Sequence, residues 1–191
     1  MKIIVFNDVD VRNHVPTGEY PILIRALNPY YQFEGVPYPQ QYLERYRAVL
    51  DLYVDDIREE TERGKQVFTL FNEEMAQQIR KFISIQNFDE CVVHCSYGES
   101  RSPAIAIGVA HLKSDQILMD QLQNNPDYHP NELILQYLLQ QEPISSGEQI
   151  QSPLTTDIAQ TEICQREFNG PKNERRANPL ARMINSIIKR K

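Results

Sequence analysis

The chain has 191 residues, 41% apolar and 24% charged, which fits one globular domain with a sizeable core and some chain to spare. No apolar run approaches the 18 or more residues of a membrane span. The opening MKIIVFNDVDVRN meets acidic residues within eight positions, which reads as a first strand rather than a signal peptide, so a cytoplasmic protein is expected.

Lys2 to Phe6 is the first expected strand and Tyr20 to Leu27 (YPILIRAL) the second. Residues 28–42 hold three prolines and four tyrosines and read as a loop whose tyrosines pack on the body or line a pocket. Val49 to Val54 alternates like a strand and runs into Asp55 and Asp56, followed by a charged connection over 57–70. Asn72 reads as a helix N-cap, with Glu73 and Glu74 in the first turn and Met75, Ile79, Phe82 and Ile83 at helical spacing. Cys91 to His94 is a buried-type strand. Pro103 suits a first helical turn, and Ala104 to Leu112 continues an apolar helix. Helices near 115–123 and 131–141 follow, the last capped by Asn131 or His129 and ended by Pro143.

Strands alternating with helices predict an α/β fold with a central, mostly parallel sheet flanked by helices. The expected catalytic domain spans 1–143. Residues 144–178 are polar and aperiodic, as a linker or disordered segment would be. Residues 179–191 place Leu180, Met183, Ile184, Ile187 and Ile188 on one face of a short basic helix, suited to docking on the body or on a partner. Charge divides in the same way. Residues 165–191 carry eight Lys/Arg against two Glu, or +6, so with a net charge of −6 residues 1–164 carry −12.

Three cysteines, Cys91, Cys95 and Cys164, do not make a disulfide framework. Cys91 and Cys95 along one strand would lie ~13 Å apart, beyond the reach of a bridge. No Cys/His spacing suggests zinc, and no metal site is expected.

The stretch HCSYGESRS, residues 94–102, lies between the strand and the apolar helix. Strand, tight loop and helix start make an anion nest, in which loop N–H groups and the helix N-terminus converge on one point. Gly98 supplies backbone freedom, and Arg101 offers a planar fork for two phosphoryl oxygens. Cys95 stands at the mouth, where those dipoles and that cation favour the thiolate, a nucleophile suited to phosphorus. Ser102 is placed to hydrogen-bond the sulfur as leaving group. The bland reading of Cys95, a buried structural cysteine, does not account for Gly98, Arg101 and Ser102 in register.

HCxxGxxRS resembles the signature of the cysteine-based protein tyrosine phosphatases, with His94, Cys95, Gly98, Arg101 and Ser102 all matching. The chain looks like the small dual-specificity branch over residues 1 to about 142, most strongly over 50–112. The resemblance implies a phosphocysteine intermediate on Cys95, substrate held by Arg101 and the amides of Ser96, Tyr97, Gly98, Glu99 and Ser100, an aspartic acid that protonates the leaving oxygen, and no cofactor. It implies phosphotyrosine in proteins or peptides as substrate, with phosphoserine or phosphothreonine as a further one. In that family the aspartate follows a strand some thirty residues before the cysteine. Here Asp55 and Asp56 lie 40 and 39 residues before it, and Asp56 is favoured because relatives with a paired Asp-Asp use the second. Glu59, Glu60 and Glu62 are outside candidates. His94 is expected to hydrogen-bond the loop rather than transfer a proton. The absence of lysine inside the loop argues against highly anionic inositol phosphates.

Three rival readings remain at this point. A sulfurtransferase or arsenate reductase would use the same nest without a general acid. An RNA 5′-triphosphatase would give the basic tail a nucleic-acid partner. A phosphoprotein-binding scaffold would not need catalysis.

Overall fold

The computed structural model describes residues 1–57 and 68–140. The 144–178 segment, the 179–191 helix, Cys164 and the outside candidates Glu59, Glu60 and Glu62 lie outside the described residues. The elements are β1 (Lys2–Phe6), α1 (Asp10–Asn13), β2 (Pro21–Leu27), α2 (Tyr31–Glu34), a 3-10 turn (Gln41–Arg45), β3 (Ala48–Tyr53), α3 (Glu73–Ile85), β4 (Glu90–His94), α4 (Arg101–Leu112), α5 (Gln116–Gln123) and α6 (Glu132–Leu139).

The four strands form one parallel sheet in the order β1-β4-β2-β3. Every residue of β2 and β4 is buried, which explains why their sequences read as continuous apolar runs: both faces are covered. One face carries Ile3, Ile22, Ile24, Leu52, Cys91 and Val93 under α3 to α6. The other carries Leu23 and Val92 under Val11 of α1 and two tyrosines, Tyr42 and Tyr46. Tyr42 is core, on the packing side of the two readings of segment 28–42, and Tyr46 joins it from just beyond that segment, whereas Tyr30 stands exposed. That segment is also less loop-like than its prolines suggest, since α2 and the 3-10 turn fall within or across it.

α3 forms where its cap and stripe predict. The Asn72 side chain accepts from the Met75 N–H at 3.1 Å, and Ala76, Ile79 and Ile83 face the core. α4 is buried along its whole length except His111, because α5 and α6 cover the side turned away from the sheet. Gly108 permits that closeness: a β-carbon there would sit 2.7 Å from the β-carbon of Leu138 on α6. Asn131, rather than His129, caps α6 by accepting from the N–H groups of Leu133 and Ile134. No helix among the described residues is long and apolar enough to cross a membrane.

All four strands run the same way, so their carboxyl ends and the segments that leave them gather along one edge of the sheet. That edge receives residues 7–8, 28–30, 54–57 and 95–101. Gly108→Val would force α4 and α6 apart and is expected to cost about 1–3 kcal/mol by overpacking. Thermal or denaturant unfolding checks this, and an unchanged midpoint would contradict the close contact.

Candidate active site

β4 is the central carrier of the site. It ends at His94 and hands Cys95 directly to the turn 96–100, which enters α4 at Arg101. Cys95 is only 2% exposed. Its Sγ accepts the Gly98 N–H at 3.3 Å and lies 3.1 Å from the Ser102 Oγ. Gly98 has φ +80°, and a β-carbon there would meet the Asn7 nitrogen at 3.0 Å and the Phe6 carbonyl carbon at 3.1 Å. Backbone handedness and the exit of β1 therefore both demand glycine. β1 is tied to the turn again where the Asp8 N–H donates to the Ser96 carbonyl at 3.4 Å.

The Arg101 guanidinium is buried and held from two sides. One terminal nitrogen donates to the Val54 carbonyl at 2.7 Å, and the other donates to the Ser96 Oγ at 3.1 Å. Its Nε is buried with no hydrogen-bond partner. An unmet N–H on a buried cation is costly. Ser102 is fully buried beside the sulfur, whereas Tyr97 (78% exposed) and Glu99 turn outward.

The structure separates the two aspartates. Asp55 clasps Thr69 twice: its N–H donates to the Thr69 carbonyl and its carboxylate accepts the Thr69 N–H, both at 2.9 Å. Asp56 reaches the signature turn, its Oδ1 accepting from the Ser100 Oγ at 2.7 Å and from the Asn131 Nδ2 at 2.9 Å. Among the described residues its Oδ2 has no hydrogen-bond partner. Asn131 thus serves two roles, capping α6 with its oxygen and holding Asp56 with its nitrogen. The sequence pattern offered only the cap. Nothing in the spacing linked position 131 to position 56.

A polar network lies behind the turn, on the sheet face away from α4. Arg25 of β2 pairs with Asp51 of β3, its Nε donating to Oδ1 at 2.6 Å and a terminal nitrogen to Oδ2. The other terminal nitrogen donates to the Tyr42 hydroxyl at 3.2 Å and to the Gln40 side chain at 2.5 Å. Burial alone would weaken the hold of Arg25 on its proton, but the bond to Asp51 outweighs it and the guanidinium is held charged more firmly than usual. The Tyr42 hydroxyl lies 3.5 Å from the Nε2 of His94. The His94 ring therefore faces Tyr42 behind the sheet and is also hydrogen-bonded by the backbone of Cys95 at the start of the loop. Burial first, then the charge of Arg25, pushes His94 down to about 3, so it stays neutral at any working pH.

No family model matches the chain, and no curated protein matches it. Among solved structures it is similar to DUSP15, at 18% identity and TM-score 0.44 over 72% of this chain and 81% of that one. It is similar to Tk-PTP in its active form, at 14% identity and TM-score 0.47 over 73% and 92%. A human tyrosine phosphatase-like serine/threonine/tyrosine-interacting protein gives 16% identity and TM-score 0.39 over 63% and 74%.

The His94 environment has a consequence for stability. Below its ordinary value of 6.5 the unfolded chain protonates this histidine, while the native protein resists down to about 3. The unfolded state therefore binds more protons across that window, and stability is lost as pH falls through it. Melting temperatures measured from pH 7 to pH 4 should fall less steeply for His94→Gln than for the wild type. Parallel slopes would contradict a buried neutral imidazole.

Proposed function

We propose that the chain is a cysteine-dependent phosphatase acting on phosphotyrosine in proteins or peptides, with phosphoserine and phosphothreonine as further substrates. The observation that carries this reading is the buried Arg101 Nε left without a partner beside a nest whose Gly98 N–H already points at the Cys95 sulfur. A phosphoryl group in that nest would receive the turn's remaining amides and the free guanidinium N–H together.

In the first step the Cys95 thiolate attacks phosphorus. The S–P bond forms, the ester P–O bond breaks, and the Asp56 carboxyl gives its proton to the departing oxygen. In the second step the Asp56 carboxylate takes a proton from water as the water oxygen attacks phosphorus. The S–P bond then breaks, with the Ser102 hydroxyl 3.1 Å away to stabilise the sulfur as it leaves. Ser100 and Asn131 orient Asp56 through Oδ1, which leaves Oδ2 to carry the mobile proton. Asp55 is occupied with Thr69, which favours Asp56 as the acid. A carboxyl tied to the nest also favours phosphate ester cleavage over sulfur transfer or arsenate reduction, where no such acid is needed.

Hydrolysis of a simple aryl phosphate tests the reading. Cys95→Ser should abolish turnover, and Asp56→Asn should lower kcat by about 10²–10⁴-fold. Full activity in Asp56→Asn would sink the assigned acid, and turnover in Cys95→Ser would sink the mechanism. Preferred phosphate release from triphosphate-ended RNA would favour the triphosphatase instead.

Asn131→Asp offers a separation of roles. Aspartate caps a helix about as well as asparagine, so α6 stays capped and the loss of melting temperature comes from the second carboxylate set against Asp56 at a position only 1% exposed. It brings no amide donor and sets a second carboxylate against Asp56, so kcat should fall at least about tenfold. An unchanged kcat would mean that Asn131 only caps.

A further inference from the structure

Three polar side chains stand in one row across the sheet. His94 of β4, Arg25 of β2 and Asp51 of β3 are register partners on three neighbouring strands, so their side chains rise side by side from the same face. The row ends at His94, one residue before the nucleophile. Asp51 accepts two N–H groups of Arg25, whose side chain is buried. The buried Tyr42 hydroxyl bridges the other end of Arg25 to the histidine, 3.2 Å from the Arg25 nitrogen and 3.5 Å from the His94 Nε2. A buried ion pair adds little net stability over an apolar replacement of the same shape, so stability alone does not account for this row.

The row has a direction. Arginine carries donors only, so the Tyr42 oxygen accepts from Arg25. Tyr38 bonds the same hydroxyl and, through burial first, keeps its own proton more firmly than usual. The Tyr42 hydrogen is therefore sent to the Nε2 of His94. A neutral imidazole that accepts at Nε2 carries its hydrogen on Nδ1, and the ring's other partner is the backbone of Cys95. We propose that Arg25 is a positioning residue for the nucleophile: anchored by Asp51 and acting through the Tyr42 hydroxyl, it fixes the tautomer and rotation of the His94 ring, and with them the backbone from which the Cys95 sulfur meets the Gly98 N–H and the Ser102 Oγ. The inference rests on the phosphatase reading above and deepens it with a group on the sheet face away from α4. Lysine would not replace Arg25, because a single nitrogen does not span Asp51 and Tyr42 as the planar fork does.

The test uses the full chain with Tyr42→Phe, Arg25→Lys and the double variant. Tyr42→Phe removes one oxygen and leaves the Arg25–Asp51 pair intact, so it decides the matter where Arg25→Lys does not fold. In aryl phosphate hydrolysis each single variant should lower kcat by about tenfold or more, with KM within about twofold of wild type. The double variant should fall no further than the worse single one, because both cut the same chain. Two readouts do not require turnover. In ¹⁵N NMR spectra of histidine-labelled protein, the His94 signals are those missing from His94→Gln. They should show Nε2 unprotonated in the wild type and a changed or mixed tautomer in Tyr42→Phe. Alkylation of Cys95 by iodoacetamide should slow in Tyr42→Phe. A wild-type His94 protonated on Nε2, an unchanged kcat in Tyr42→Phe, wild-type kcat in Arg25→Lys, or losses that multiply in the double variant would each overturn the inference. So would a lower melting temperature with kcat and the His94 signals unchanged, since that is packing alone. A wild type that leaves the aryl phosphate intact would count against the phosphatase reading, while the tautomer and the alkylation rate still decide the role of Arg25.

Discussion

A single buried guanidinium joins the parts of this site. Arg101 opens α4, and through one nitrogen it is bonded to the Val54 carbonyl at the end of β3. Through another it holds Ser96, one residue after the thiol. Helix start, nucleophile turn and the strand that leads to Asp55 and Asp56 are thereby locked into one rigid unit. A buried cation is tolerated only where its N–H groups are met. Two oxygens meet part of that demand, and the remaining Nε is buried without a partner.

The reverse side of the sheet carries a second buried cation with a different arrangement. Arg25 is paired with Asp51, and its remaining donors run through Tyr42 toward His94. The charge is matched within the sheet, so no ligand is called for there. Burial first, with the charge of Arg25 second, keeps the imidazole of His94 neutral beside Cys95 in the chain. A protonated ring would place a titrating charge behind the nest. With the neutral ring in place, the fixed positive groups near the sulfur are Arg101 and the amide dipoles of the turn.

Asp55 and Asp56 show how adjacent identical side chains come to different duties. The two lie just past the end of β3, where the chain bends at Asp56. One turns toward Thr69 and closes the neck of the charged connection, while its neighbour turns toward Ser100 and Asn131. Beyond the nest, the exposed carboxylates of Asp10, Glu99 and Asp127 give its surroundings the sign opposite to Arg101.

By itself the sequence determined the strands, the helices after Asn72 and Ser100, the parallel α/β class and the cluster Cys95, Gly98, Arg101 and Ser102. These are carried by local periodicity, caps and spacing within a nine-residue stretch, and short-range rules suffice to read them. The one-turn helix α1 and the strand order with β4 at the centre were not legible there, because each depends on which surfaces meet after the chain has folded. The same holds for the choice between Asp55 and Asp56, for Asn131, 75 residues from the carboxylate it holds, and for the Arg25–Asp51 pair across two strands. Burial and long-range hydrogen bonding decide those contacts, and neither leaves a periodic mark on the chain. Tertiary structure alone set Asp56 against Ser100 and Asn131 and left one guanidinium nitrogen of Arg101 unmet beside exposed carboxylates.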